Sequence, residues 1–173
     1  MTFAYVSSYA ETLAARAAYK RYFTHPNGTP RAALHSMFNI SEATLAPYKV
    51  VYNRVGKGLM AAVLGPIEGR PVIPQETLCL IPCSGPDEAH YLVGLLQSGP
   101  LEELLNAYSQ SGGKGYAGPH LMRQGAIPRY DAHNNAHRTL RDLANACYGA
   151  KTIAPAQKER LLAAALDVWG LGA

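Results

Sequence analysis

Long apolar runs are missing from this 173-residue chain. A membrane-spanning helix needs about 18–20 consecutive apolar residues, so no span is expected. The opening Met1-Thr2-Phe3-Ala4-Tyr5 lacks the basic-then-apolar order of a secretory signal. Cysteine is scarce. Three is an odd number, which builds no disulfide framework. Reduced thiols in a cytoplasmic protein are the expectation. Nucleotide fingerprints are missing too. Gly112-Gly113-Lys114-Gly115 ends in Gly where a phosphate-binding loop needs Ser or Thr, and no G-x-G-x-x-G follows a strand-like segment.

Basic residues are absent from 71–110, a stretch that holds 5 acidic ones. Residues 1–70 carry 8 Lys and Arg against 3 Asp and Glu, and residues 111–141 carry 5 against 1. The net charge is +4. Two basic segments thus flank an acidic one. If the basic segments converge on one concave face, that face attracts a polyanion and the acidic stretch points away from it. An ordinary solvated surface is the plainer reading of the same charges.

What remains is ample for a core, since 48% of the residues are hydrophobic and only 16% are charged. The pattern predicts a leading helix over 8–23, capped by Ser8 with Glu11 three residues on. It ends at the turn chemistry of Pro26-Asn27-Gly28 and Pro30. Strands are expected over 45–55, 60–64 and 77–82. Helices are expected over 86–97, with Pro86 and Asp87 at its start, and over 101–108 after Pro100. A glycine-rich stretch fills 109–118. Four of its residues 112–118 are glycine, so ordering it costs more backbone entropy than most segments. Residues 124–128 suit a short edge strand, and 134–148 and 154–169 suit two C-terminal helices. The order predicts one domain over 1–173 of mixed α/β (α+β) class. A small mixed sheet is flanked by helices, and 134–173 forms a C-terminal helical appendage.

Catalytic constellations are thin. Cys79 and Cys83 share a strand face but have no second pair at zinc spacing, which reads as core thiols. His133 and His137 would share a helix face, with Asp131 or Asp142 as a conceivable third ligand, yet a satisfied structural role is the expected one. Neither set makes a self-contained active site. The weakest of the function classes weighed is a small hydrolase using His133 or His137.

Several separated segments resemble a known family in order and spacing. They are Tyr19-Lys20-Arg21-Tyr22-Phe23, Phe38-Asn39-Ile40, Leu45-Ala46-Pro47-Tyr48-Lys49-Val50-Val51-Tyr52, Ala61-Ala62-Val63, Pro71-Val72-Ile73-Pro74 and Leu80-Ile81-Pro82. They continue through Glu88-Ala89-His90-Tyr91-Leu92, Leu95-Leu96-Gln97-Ser98-Gly99-Pro100, Ile127-Pro128-Arg129-Tyr130-Asp131 and His137-Arg138-Thr139-Leu140. Together they resemble the TaqI-like C-terminal specificity domain, the target-recognition region of adenine-specific DNA methyltransferases and fused restriction-modification enzymes. Such an enzyme carries an Asn-Pro-Pro-Tyr-type motif for the flipped adenine and a glycine-rich turn for S-adenosylmethionine. Here Ala46 precedes Pro47-Tyr48, and neither motif is present.

The resemblance therefore implies a recognition module whose catalytic domain lies outside this sequence, in the same parent chain or in a separate polypeptide. S-adenosylmethionine is expected in that catalytic domain, with no cofactor and no metal here. The expected partner is double-stranded DNA. Candidate phosphate contacts are Lys20, Arg21, Arg54, Lys57 and Lys114. Candidate base readers are Arg31, Tyr48, Lys49, Tyr52 and Tyr116, with Asn39 and Asn53 as possible adenine partners or plain turn residues. Sheet core is the competing reading for Tyr48 and Tyr52. The strand around 49–54 and the loop at 114–123 are expected to form opposite walls of a groove. The alternative function is a protein-interaction or scaffold domain that docks through the Leu-rich helices 86–108 and 134–169.

Overall fold

The computed structural model describes residues 2–37, 40–56, 58–75, 77–108, 117–150 and 152–172. The chain divides into two compact units, residues 1–41 and 42–173, where the sequence predicts one domain.

In the first unit the expected single helix is three short ones: α1 (Thr2–Ser7), α2 (Ala10–Ala15) and α3 (Ala17–Tyr22). Ser8 does not cap; its hydroxyl donates to the Tyr5 carbonyl at 2.7 Å. Arg16 adopts ψ 132° and breaks the run between α2 and α3. Its guanidinium donates to the carbonyls of Leu34 (2.6 Å) and Ser36 (3.1 Å). These are tertiary partners, so local helix preference loses to the chain folding back. The Tyr19 hydroxyl ties the same return segment through the Ala32 carbonyl at 2.7 Å.

The second unit opens with α4 (Glu42–Leu45) and a sheet of β1 (Tyr48–Asn53), β2 (Ala61–Leu64) and β3 (Leu78–Cys83) in the order β2-β1-β3. Both pairings are antiparallel, with Val50 opposite Val63 and Ile81. The expected mixed sheet is therefore antiparallel throughout. The expected strand over 45–55 starts only at Tyr48, because α4 holds the chain up to Leu45 and Pro47 supplies no ladder donor. Side chains alternate along a strand. Val50 and Tyr52 face the helical side and Lys49 and Val51 face the other, yet all four are buried. The second face is covered because β2 and β3 flank β1 and run in one direction. The connection between them must then cross β1, and Lys49 meets Val72 of that connection.

The helical layer comprises α5 (Pro86–Gln97), α6 (Pro100–Tyr108), α7 (Pro119–Met122), α8 (Asn135–Cys147) and α9 (Pro155–Val168). α5 begins with Pro86 at its first position and carries Asp87 and Glu88 in its first turn, where the helix dipole favours negative charge. The Asn134 side chain caps α8 by accepting from the Ala136 amide at 2.9 Å. A 3-10 turn at Arg123–Gly125, then Ala126 at φ 43°, ψ 47°, occupies the place of the expected edge strand at 124–128. A left-handed residue interrupts an extended run, so no ladder forms there.

α5 is the hub of the core. Ala89, Tyr91, Leu95 and Leu96 are fully buried, together with Leu101 and Leu105 of α6 and Leu140 of α8. The Leu-rich helices thus spend their apolar faces inside the unit. α5 and α8 cross closely at Gly94, where an added Cβ would stand 2.9 Å from Leu140 Cγ and 3.2 Å from Ala144 Cβ. Gly94→Ala is expected to lower unfolding stability by about 1–3 kcal/mol, because overpacking this crossing outweighs the gain in helix propensity of about 1 kcal/mol. Urea denaturation followed by circular dichroism measures it.

Candidate functional site

Of the cations expected to meet a phosphate backbone, Lys20 and Arg21 stand exposed in the last turn of α3. Arg31 is exposed in the same first unit. In the second unit Arg54 is exposed directly beyond β1. Lys57, Lys114 and Tyr116 lie outside the described residues, as do Asn39 and most of the glycine-rich stretch.

Two base-reading candidates are buried instead. Lys49 has no exposed surface. Its ammonium donates to the Thr44 carbonyl at 2.9 Å and to the Val72 carbonyl at 2.6 Å. Burial holds its pKa below the ordinary lysine value. In this fold Lys49 cannot reach a base edge and lines no groove. It is a strut between α4 and the chain crossing the sheet. Tyr52 is core, packed beside Cys79 on the neighbouring strand, and burial raises its hydroxyl pKa. Tyr48 is half-buried against the core, its ring 3.3 Å from where a Cβ on Gly65 would lie. Asn53 is also structural: it donates to the Gly58 carbonyl at 2.8 Å and accepts from the Met60 amide at 2.8 Å, closing the β1–β2 turn.

The thiols Cys79 and Cys83 pack on the core side of β3. Burial and the nearby Glu88 carboxylate push the Cys83 thiol up to about 11, away from nucleophilic thiolate. Among the described residues no three His, Cys, Asp or Glu side chains converge as a metal site.

His133 and His137 do not share a helix face, because α8 starts only after the Asn134 cap. His137 is buried in a cluster with Tyr91 and Tyr130, its ring centroid 4.8 and 6.3 Å from theirs. Its Nδ1 accepts the Asp131 amide at 3.0 Å, and the Tyr91 hydroxyl donates to the Pro128 carbonyl at 2.9 Å. The segment 127–131 is thereby fastened to α5 and α8. Arg141 extends this cluster: it donates to the Tyr130 hydroxyl at 3.3 Å and pairs with Asp87 at 2.9 Å and with Asp142. These partners raise its pKa, the Asp142 hydrogen bond most. The Asp87–Arg141 pair also joins the acidic segment to the second basic one. At this contact the two segments are adjacent, where the charge pattern predicts opposite sides.

A feature the sequence reading passed over lies between Pro66 and Pro71. Ile67 and Arg70 bridge in antiparallel fashion, with the Ile67 amide donating to Arg70 at 3.0 Å and the Arg70 amide to Ile67 at 2.9 Å. Between them Glu68 and Gly69 both sit at positive φ, 48° and 73°. That is the signature of a two-residue I′ hairpin turn. A Gly inside a Pro-x-x-Gly-x-Pro frame was the available signal. All four residues are exposed.

Comparison with protein-family models, with curated proteins and with solved structures finds no match to this chain.

Two expectations follow from the buried polar groups. Lys49→Met keeps the bulk of the side chain but removes both carbonyl contacts, so it should cost about 2–4 kcal/mol in chemical denaturation. Burial also depresses the pKa of His137, opposed by the Asp131 charge. The folded state then disfavours the proton that the unfolded chain takes up near pH 6.5. Its contribution is present above about pH 6.5 and is lost as pH falls through the lower folded-state value. Unfolding midpoints between pH 7.5 and about 5.5 should fall in the wild type and fall less in His137→Phe. Equal slopes would show that His137 does not titrate with folding.

Proposed function

We propose that this chain is the DNA sequence-recognition domain of an N6-adenine methyltransferase or restriction-modification enzyme. It binds duplex DNA and presents the target adenine to a catalytic domain outside this sequence. The observation that carries the reading is how the resembling segments meet. Pro47–Tyr52 contains the central strand, Leu80–Pro82 pairs with it, Glu88–Gln97 packs over it, and Ile127–Asp131 closes on Tyr91 and His137. These segments, all from residue 47 onward, pack within the second unit, while Tyr19–Phe23 lies in the first, and their packing supports a reading at the level of a domain.

The mechanism asks three things of such a module. Taking an adenine out of the stack costs a few kcal/mol, and duplex binding by a separate domain offsets part of it. Lysines and arginines on phosphates supply affinity and register, with counterions released. Base-edge contacts supply choice. Exposed Lys20, Arg21 and Arg54 suit the phosphate role, and exposed Arg31 stays a candidate base reader. S-adenosylmethionine belongs to the catalytic domain, and no residue of this chain is assigned to it.

The protein-interaction alternative loses the part of its basis that rests on helices 86–108, while Leu162 of α9 stays exposed. Leu92, Leu95, Leu96, Leu101 and Leu105 are buried within their own unit and are not free to dock.

Fluorescence anisotropy with the full chain and a duplex pool randomised at its centre tests the proposal. Affinity should fall steeply as salt rises. Arg54→Glu combined with Lys57→Glu should weaken binding to all duplexes alike and flatten the salt slope. Binding that is absent, or indifferent to salt, would refute the DNA reading.

A further inference from the structure

We infer that the Ile67–Arg70 hairpin is the element that enters the DNA major groove and reads base edges, an inference that rests on the DNA-recognition reading above. Four observations lead to it. The turn is closed by reciprocal backbone hydrogen bonds and framed by Pro66 and Pro71, so little freedom remains to be lost on binding. Its residues are exposed, and Ile67 leaves 66% of its surface to solvent although it is apolar. Among the described residues the Arg70 guanidinium makes no hydrogen bond or ion pair. Arg141 and Arg16, by contrast, are held by carboxylates or carbonyls.

The dimensions and the chemistry agree. A major groove about 12 Å wide admits a two-stranded β-ribbon. Opposed residues of an antiparallel pair present their side chains on one face, so Ile67 and Arg70 stand side by side. The tip brings together three kinds of base reader. Arg makes a forked contact with O6 and N7 of guanine, an aliphatic side chain packs on the thymine methyl, and a carboxylate accepts from the cytosine amino group. Arg70, Ile67 and Glu68 supply one of each. A phosphate-only contact would gain nothing from Ile67 and would be weakened by Glu68.

Gly69 is a positioning residue here. At φ 73° a β-branched side chain is strained, so Gly69→Val distorts the turn without removing any reading side chain.

The test selects preferred sequences from the centre-randomised duplex pool with the full chain, then measures affinity on selected and on unrelated duplexes. The variants are Arg70→Ala, Ile67→Ala and Gly69→Val, with Lys158→Ala on α9 as control. Thermal unfolding checks that each is folded, as expected for exposed positions. Arg70→Ala should lose about tenfold or more on the selected duplex, relax the preference for guanine at one position, and change affinity for unrelated duplexes little. Ile67→Ala should relax a thymine preference, and Gly69→Val should blur both. Lys158→Ala should enrich the wild-type sequence. If Arg70→Ala weakens all duplexes equally and keeps the preference, Arg70 sits on phosphate and the inference is overturned. If the hairpin variants enrich the wild-type sequence at wild-type affinity, the hairpin reads nothing while the DNA reading stands. If the wild type binds no duplex, the DNA reading itself has failed and takes this inference with it.

Discussion

The ammonium of Lys49 is the constraint around which the second unit is arranged. A charge taken fully out of water is tolerated only when dipoles replace the lost solvent. Here the carbonyls of Thr44 and Val72 do so, at 2.9 and 2.6 Å. One belongs to α4, before the sheet, and the other to the chain that crosses it between β2 and β3. A single side chain therefore holds both covers against the face of β1 turned away from α5. The opposite face needs no such device, because Val50 and Tyr52 meet an apolar layer built on α5.

That arrangement separates structural from chemical polar groups. His137, Asn53 and Tyr91 all bond part-buried backbone donors or acceptors, and each closes a turn or fastens a segment. Removing one leaves its backbone partner unmet wherever water does not reach it. Among the described residues, the exposed side chains of Arg54 and Arg70 have no comparable internal partner. Cations engaged by the fold and cations left to solvent are thus distinguishable by their partners, which charge counting along the sequence does not reveal.

Elements governed by local signals were legible in the sequence. The helix over 86–97 starts at a proline followed by acids and ends before Ser98-Gly99-Pro100, and the structure matches it end to end. β1 is where β-branched and aromatic residues concentrate, and all three strands fall in the expected places with ends shifted by a few residues. What was not legible depends on partners far along the chain. The break at Arg16 comes from carbonyls about twenty residues away. Lys49 looks like a surface cation on a strand until the crossing connection is placed over it. Tyr48 and Tyr52 were balanced between ligand contact and core, and only the position of α5 decides for core in the case of Tyr52. The Pro66–Pro71 hairpin is only two residues long at its tip and has no flanking strand pattern to mark it.

The buried strut and the exposed hairpin are parts of one segment. Val72, which accepts from Lys49, lies two residues beyond Arg70, with Pro71 between them fixing the backbone. Gly65, just before the hairpin, lies against the ring of Tyr48, the residue preceding Lys49. Both ends of the hairpin are thus referenced to the start of β1. A displacement of a rigid two-residue turn moves its side chains together, and groove contacts tolerate errors well below the length of one hydrogen bond. The orientation of Arg70 is consequently set in part by a lysine that has no access to solvent. A change in base preference after substitution at Lys49 would then report on this mechanical link and give no evidence of contact between Lys49 and DNA.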